Sequence, residues 1–289
     1  MTNIQYLAPT TLDEAVSLYA AAAGSARILA GGTDLLVQLR SGMINPGIII
    51  DIKKIKELNS IEQKADGSFV VGASVSGTQL AKHSSFGKTW PGVLEALNLI
   101  GSTQVQGRAS LGGNLCNGSP AGDSIPALIA AEATVNIQGP NGSRQLAVKD
   151  VLSGPGSTNL SQDEIAVNFI FPTRQLGSGD AYLRMIPRTE MDIAVVGCGV
   201  NLTLENNICT SATVGLGAVA PVVLEVEAAA EALVGNKIEE ETLERAAEAC
   251  RAVCNPIDDK RGTIAYRTKV AGVLMKRAAT IASQRAEGA

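Results

Sequence analysis

The chain has 289 residues and a single histidine, His83. Hydrolytic triads and dyads need an imidazole beside a nucleophile, and nothing around His83 assembles one. Aromatic residues are also scarce, at 3%. No block rich in Lys or Arg is present. Nucleic-acid surfaces combine basic stripes with stacking rings, so a nucleic-acid partner is not expected. Long hydrophobic runs are missing too. Ile48–Ile50 and Ala194–Val200 are among the most apolar stretches, far below the roughly 20 residues of a membrane span. The opening MTNIQYLAPTTLDEAV has no basic segment leading into an apolar one, so the expected location is the cytoplasm. The five cysteines, Cys116, Cys198, Cys209, Cys250 and Cys254, are odd in number and scattered, as expected of reduced thiols.

Net charge is −4 and the pI is about 5.2. That balance leaves a negatively charged cofactor possible, because backbone N–H groups can hold phosphates without basic side chains. Hydrophobic residues make up 45% and charged residues 18%, an ordinary globular balance. The length suits two or three modest domains.

Three blocks can be read along the chain. In the first, Thr11 and Glu14 have the spacing of a capping box before an apolar-striped helix, which includes Tyr19 and ends at Gly24. Strand Arg27–Ala30, helix Leu35–Arg40 and strand Ile48–Asp51 follow, a small βαβ unit over 1–57. The second block, 58–175, has strand Ser68–Val71 and helices at Ser76–Lys82 and Trp90–Ile100. A glycine-rich connector, Gln106–Asp123, leads to helix Ser124–Ala131 and strands Thr134–Gln138 and Ile165–Phe171. The third, 176–289, reads as a meander of Ala181–Met185, Ile193–Leu204 and Ala212–Val219. Helices Leu224–Leu233, Glu240–Cys254 and Asp259–Ala286 complete it. The fold class is α+β.

Two segments carry arguable chemistry. Leu29-Ala30-Gly31-Gly32-Thr33-Asp34-Leu35 is a strand running through paired glycines into a helix. Glycines let backbone approach a ligand closely, and a helix start leaves N–H groups free. The pattern fits an anion such as a diphosphate, and equally a plain tight turn with a capped helix. The second segment, Ser110–Asp123, holds four glycines in fourteen residues, with Ser110, Asn114, Asn117, Ser119 and Asp123 among them. That density exceeds what a connector needs. Asp123 fits both an N-cap and a hydrogen-bond acceptor for ribose hydroxyls. Together the segments suit a bent or extended dinucleotide with its diphosphate between them.

At these residues the chain resembles the flavoprotein class of xanthine dehydrogenase and aerobic carbon monoxide dehydrogenase. The resemblance rests on Ala30–Leu35, Ser110-Leu111-Gly112-Gly113-Asn114, Ser119-Pro120 and Asp123. It continues through Arg184–Arg188 with Asp192–Ala194, Gly215–Pro221, and Asp259–Gly262 with Tyr266-Arg267. It implies a two-subdomain, PCMH-like FAD-binding domain followed by an α+β C-terminal domain of the CO dehydrogenase flavoprotein type. It also implies noncovalent FAD. Leu29–Leu35 and Ser110–Asn114 would hold the diphosphate and ribityl chain by N–H groups, and Asp123 the adenosine ribose. Ile100 and Ile165 would line the site. Arg184 stands where relatives commonly carry a lysine beside the isoalloxazine, a departure, since Arg presents a fixed planar fork. Arg188 and Asp192 match family positions and equally suit a structural ion pair. The implied partners are a large molybdopterin subunit and a small subunit with two [2Fe-2S] clusters, as a dimer of heterotrimers. Electrons would pass from the clusters through FAD to an external acceptor.

Four features point elsewhere and carry less. Gly215-Leu-Gly-Ala-Val-Ala220 matches a dinucleotide fingerprint, but Pro221-Val222-Val223 follows where a helix should open. His83 lies outside both glycine segments, against covalent flavin attachment. Cys250 and Cys254 lie four apart on a helix, whereas iron–sulfur clusters are usually held by four thiolates in loop spacings. Cys116, inside the second segment, reads as packing. The alternative function is a free-standing FAD oxidoreductase with its own substrate pocket, for which no histidine base is available. A cofactor-free scaffold is disfavoured by the intact glycines.

Overall fold

The computed structural model describes residues 4–288. Three main sheets succeed one another along the chain, each with its own apolar core.

The first sheet is parallel, with Ile48–Asp51 between Gln5–Leu7 and Ala26–Leu29. Parallel neighbours need crossover connections, and helices Leu12–Ala21 and Leu35–Arg40 lie in them. Thr11 caps the first helix, its Oγ1 accepting from Glu14 N at 3.3 Å. The return arm of the expected capping box is displaced by one residue, with Glu14 Oε2 accepting from Thr10 N at 3.1 Å. Gln5–Leu7, three residues long, is too short to show periodicity in sequence. Ala15, Val16, Ile50, Ile52 and Ile55 form the core here.

The second sheet is antiparallel, in the order Ile61–Gln63, Phe69–Gly72, Ile165–Phe171, Thr134–Gly139, Gly142–Ala147. Its central strand comes last in sequence, so this core closes only when Ile165–Phe171 is in place. Several of the scarce rings gather here. Phe86 meets Phe69 and Phe171 edge-on at 5.3 and 5.1 Å, and Trp90 lies 5.9 Å from Phe171. His83 belongs to this cluster, its Nδ1 accepting from Phe86 N at 3.2 Å.

The connector expected over Gln106–Asp123 contains a helix, Leu111–Cys116. Its glycines argue against a helix by propensity. Tertiary contact overrides them: Gly112 N donates to Ala73 O at 3.0 Å, and a Cβ on Gly112 would lie 2.5 Å from that oxygen.

The third sheet is an antiparallel meander of Ser178–Met185, Val196–Glu205, Ile208–Gly217 and the short Leu224–Glu225. Helices Glu227–Leu233, Glu240–Ala252 and Ile264–Glu287 share its core. The single helix expected over Leu224–Leu233 is thus a short strand and a helix. The last helix starts at Ile264 rather than Asp259, because Thr263 Oγ1 accepts from Tyr266 N at 3.2 Å and caps it there. Cys198, Cys209 and Cys250 are buried in this core.

Helix Ser124–Ala130 joins the second and third units, and all seven of its residues are buried. It presses on two glycines of the meander. A Cβ on Gly199 or Gly215 would lie 2.5 or 2.4 Å from Pro126 O. Gly215 of the fingerprint-like stretch therefore sits within a strand and serves close packing of backbone. Buried charges also cross this junction: Arg174 pairs with Asp180 at 2.6 Å, and Asp180 accepts from Gly92 N at 2.8 Å. Arg285 pairs with Glu95.

Candidate functional site: a cleft between two glycine segments

The two glycine segments, far apart in sequence, converge. A Cβ on Gly31 would stand 2.0 Å from Arg108 O and 3.2 Å from Ala109 N, so the first segment lies against the entry to the second. Gln38, on the helix leaving the first segment, donates to Asn117 Oδ1 of the second at 3.3 Å. Between them lies a cleft of about 670 Å³. That volume falls in the range of small-molecule and cofactor sites.

The two segments contribute differently. In the first, Gly32 has φ +79°, a left-handed conformation that favours glycine. The N–H groups of Gly31, Gly32, Thr33 and Asp34 have no backbone acceptor among the described residues. Asp34 makes no cap hydrogen bond to the following helix, and burial pushes its carboxyl upward in pKa. These are donors that a ligand can satisfy. In the second segment three of the donors are already engaged: Gly112 N with Ala73 O at 3.0 Å, Gly113 N with Ser110 Oγ at 3.1 Å, and Asn114 N with Ser110 O at 3.0 Å. It offers close backbone and the side chains of Ser110 and Asn114 instead.

Of the residues expected at the site, Ala30, Gly31, Gly32, Thr33, Asp34, Leu35, Ile100, Ser110, Gly112, Gly113, Asn114 and Ile165 all line this cleft. Leu29, Leu111, Ser119, Asp123 and Arg184 do not. Leu29 ends its strand, Leu111 is core, and Ser119 Oγ accepts from Ala121 N at 3.2 Å within its own turn. Asp123, the last residue of the second segment, pairs with Arg184 outside the cleft lining. Arg184 Nη1 reaches Asp123 Oδ2 at 2.9 Å with its side chain 2% exposed, and Tyr182 OH donates to Asp123 Oδ1 at 3.4 Å. Asp123 makes no side-chain cap to helix Ser124–Ala130. Burial pushes its carboxyl up to about 6, against the opposing pull of the Arg184 guanidinium. Both side chains of that pair are therefore occupied with each other. Arg188 and Asp192 do pair, at 3.3 Å, and Asp192 also accepts from Arg261 Nε at 2.9 Å.

The fold brings further polar groups that spacing did not reveal. Tyr19, read in sequence as part of the apolar stripe, and Arg27 line the cleft, as do Ser157 and Thr158 of a small hairpin. That hairpin is seated on the second segment by Gly156 N donating to Gly118 O at 2.9 Å. Ser74 lines the cleft with its Oγ buried and without a partner among the described residues. A buried orphan hydroxyl and successive free N–H groups are what a polar, phosphate-bearing ligand would satisfy. Gly31 and Gly112 let the walls of the cleft pack closely on the backbone of Arg108 and Ala73. FAD fits this set. No sequence pattern marks Ser74, Tyr19 or Arg27, because each reaches the cleft from an ordinary element.

A paired-glycine cleft on a small parallel sheet, closed by an antiparallel sheet and followed by a helix-covered meander, defines a dinucleotide-binding flavoprotein fold. Residues 2–174 match the family described as FAD binding domain in molybdopterin dehydrogenase, and residues 181–282 match the CO dehydrogenase flavoprotein C-terminal domain. The carbon monoxide dehydrogenase medium chain of Hydrogenophaga pseudoflava is 33% identical over 276 residues, covering 96% of each chain. The xanthine dehydrogenase FAD-binding subunit of Escherichia coli O157:H7 is 30% identical over 273 residues, covering 94% of this chain and 93% of the other. Among solved structures, carbon monoxide dehydrogenase from Hydrogenophaga pseudoflava superposes with a TM-score of 0.94 at 33% identity, covering 98% of both chains. Quinoline 2-oxidoreductase from Pseudomonas putida 86 gives 0.90 at 28% identity, again covering 98% of both. The chain belongs to the family of FAD-binding oxidoreductase subunits of the carbon monoxide dehydrogenase and xanthine dehydrogenase type. Among the described residues no helix is long and apolar enough to cross a membrane.

Proposed function

We propose that the chain is an electron relay: it receives electrons from [2Fe-2S] clusters on a small partner subunit and passes them through FAD to an external acceptor. The substrate would be oxidised on a large molybdopterin subunit, within a dimer of heterotrimers in the cytoplasm. The observation that carries this reading is the convergence of both glycine segments on one cleft. Bound FAD supplies the redox chemistry, and the protein supplies binding, orientation and electrostatics. The chain divides for this purpose into 1–57 and 58–175, which hold the cofactor between them, and 176–289, which packs on the second.

Within the cleft, the free N–H groups of Gly31–Asp34 are the donors for the diphosphate. Ser110 and Asn114 add side-chain contacts from the facing wall, and Ile100 and Ile165 supply apolar lining. Leu29 and Leu111 set the two segments in place from beneath. Ser119 steadies the turn within the second segment, and the buried Asp123–Arg184 ion pair ties the end of that segment to the meander strand Ser178–Met185. This assignment moves Asp123 and Arg184 from ligand contact to support.

The test is reconstitution of the full chain with FAD, then with its partner subunits. The expected result is noncovalent flavin at one per chain, reduced only when the iron–sulfur partner and the substrate of the complex are present. Turnover of a small organic substrate by the flavin-loaded chain alone would overturn the relay in favour of a free-standing oxidoreductase.

A further inference from the structure

Asn114 is a side-chain amide on the second wall of the cleft, and its orientation is fixed by the helix that follows. Its Oδ1 accepts two hydrogen bonds from one residue: Ser124 N at 3.1 Å and Ser124 Oγ at 2.7 Å. A backbone N–H can only donate, so the amide atom facing Ser124 must be the oxygen. Ser124 is 0% exposed and opens the fully buried helix Ser124–Ala130. That helix has an uncapped N-terminus by its own residues, since Asp123 gives it no side-chain bond. Asn114 Oδ1 takes the place of the missing cap. With both lone pairs of Oδ1 engaged, the amide cannot turn over without setting its NH2 against an N–H in a buried place. Nδ2 makes no hydrogen bond to the described residues, while Asn114 lines the cleft.

We propose that Ser124 is a positioning residue that locks the Asn114 carboxamide so that Nδ2 faces the cleft as a donor to an acceptor atom of FAD. The inference rests on FAD occupying this cleft. It assigns a role in cofactor binding to a residue that itself lies outside the cleft lining. Asn114 therefore recognises the ligand in one polarity only: an oxygen or unprotonated nitrogen is accepted at that point, and a donor group is rejected.

The experiment is a double-mutant cycle on FAD affinity, read by flavin fluorescence on the full chain. The four proteins are wild type, Ser124→Ala, Asn114→Ala and the double variant. Loss of one hydrogen bond corresponds to roughly fivefold in affinity. Ser124→Ala removes the shorter, hydroxyl arm of the lock and keeps the N–H arm, and is expected to weaken FAD by about that factor, and Asn114→Ala by more. Because Ser124 acts through Asn114, the double variant should bind no more weakly than Asn114→Ala alone. A residue that merely capped the helix would give the same factor in both backgrounds, and that result, or an unchanged Kd for Ser124→Ala, overturns the proposal. If Ser124→Ala does not fold, Asn114→Asp decides. It keeps an acceptor for Ser124 and replaces the cleft-facing donor by a carboxylate oxygen. Loss of tenfold or more supports the proposal, and unchanged affinity overturns it. Failure of the wild-type chain to bind FAD would instead sink the underlying cofactor reading, so the two failures are distinguishable.

Discussion

Gly31→Ala is the sharpest perturbation of this cleft. The added methyl would stand 2.0 Å from Arg108 O and 2.6 Å from Arg108 C, against an ordinary contact that begins near 3.4 Å. Both sides are backbone, so no flexible side chain can yield. The two glycine segments must part by about 1.4 Å, the difference between those limits. Overpacking of this kind costs about 1–3 kcal/mol. A ligand that bridges both walls needs them at their native separation, so the same strain is felt in binding. Its loss converts to roughly tenfold to hundredfold weaker FAD. Gly42→Ala is the matched control. Gly42 has φ +73° but nothing within 4 Å of its would-be Cβ. That substitution should cost about 1–2 kcal/mol of stability through left-handed backbone alone, with FAD affinity kept within about twofold, well under the tenfold that 1.4 kcal/mol represents. Urea unfolding and FAD fluorescence titration on the same samples separate the two effects. Gly31→Ala binding FAD as tightly as wild type would refute the convergence of the two segments on one ligand.

Four further outcomes follow from particular contacts. Arg184→Ala leaves the Asp123 carboxyl buried without its partner, and should cost about 3–5 kcal/mol in urea unfolding, whereas a surface role predicts almost none. Asp123 titrates near 6 in the folded chain, above its ordinary value, through burial. A raised carboxyl contributes stability that is full below its unfolded pKa and lost as pH rises through the folded one. The stability of wild type relative to Asp123→Asn should therefore grow as pH falls from about 7 to 4, by at most about 3 kcal/mol; the opposite slope would show that the ion pair dominates. Gly215→Ala should unseat helix Ser124–Ala130, since its Cβ would lie 2.4 Å from Pro126 O, lowering both thermal stability and FAD affinity. His83→Ala should leave flavin content unchanged, and acid precipitation of the loaded protein should release all of the FAD to the supernatant; flavin retained in the pellet would mean covalent attachment.

The local chemistry of the site was legible in the sequence. Gly31-Gly32 between a strand and a helix, and the glycine density of 110–123, each signal close backbone approach, because only glycine is cheap there. The order of the elements followed from period and punctuation, and the strands Ile48–Asp51 and Ile165–Phe171 stand where the pattern put them. Short pieces were not legible. Gln5–Leu7 is too brief to show a period, and Leu111–Cys116 is a helix despite its glycines because Ala73 holds Gly112.

Side-chain assignment depended on the third dimension. Asp123 looks the same in sequence whether it faces a ribose or a guanidinium, and only the packing of Ser178–Met185 behind it puts Arg184 at 2.9 Å. Ser74, Tyr19 and Arg27 entered the cleft from unremarkable elements. A sequence records which backbone conformations are cheap at each residue, and so determines where turns, strands and ligand-tolerant loops can form. Which side chains then meet across more than sixty residues is decided by how the sheets pack, and that information exists only in the folded chain.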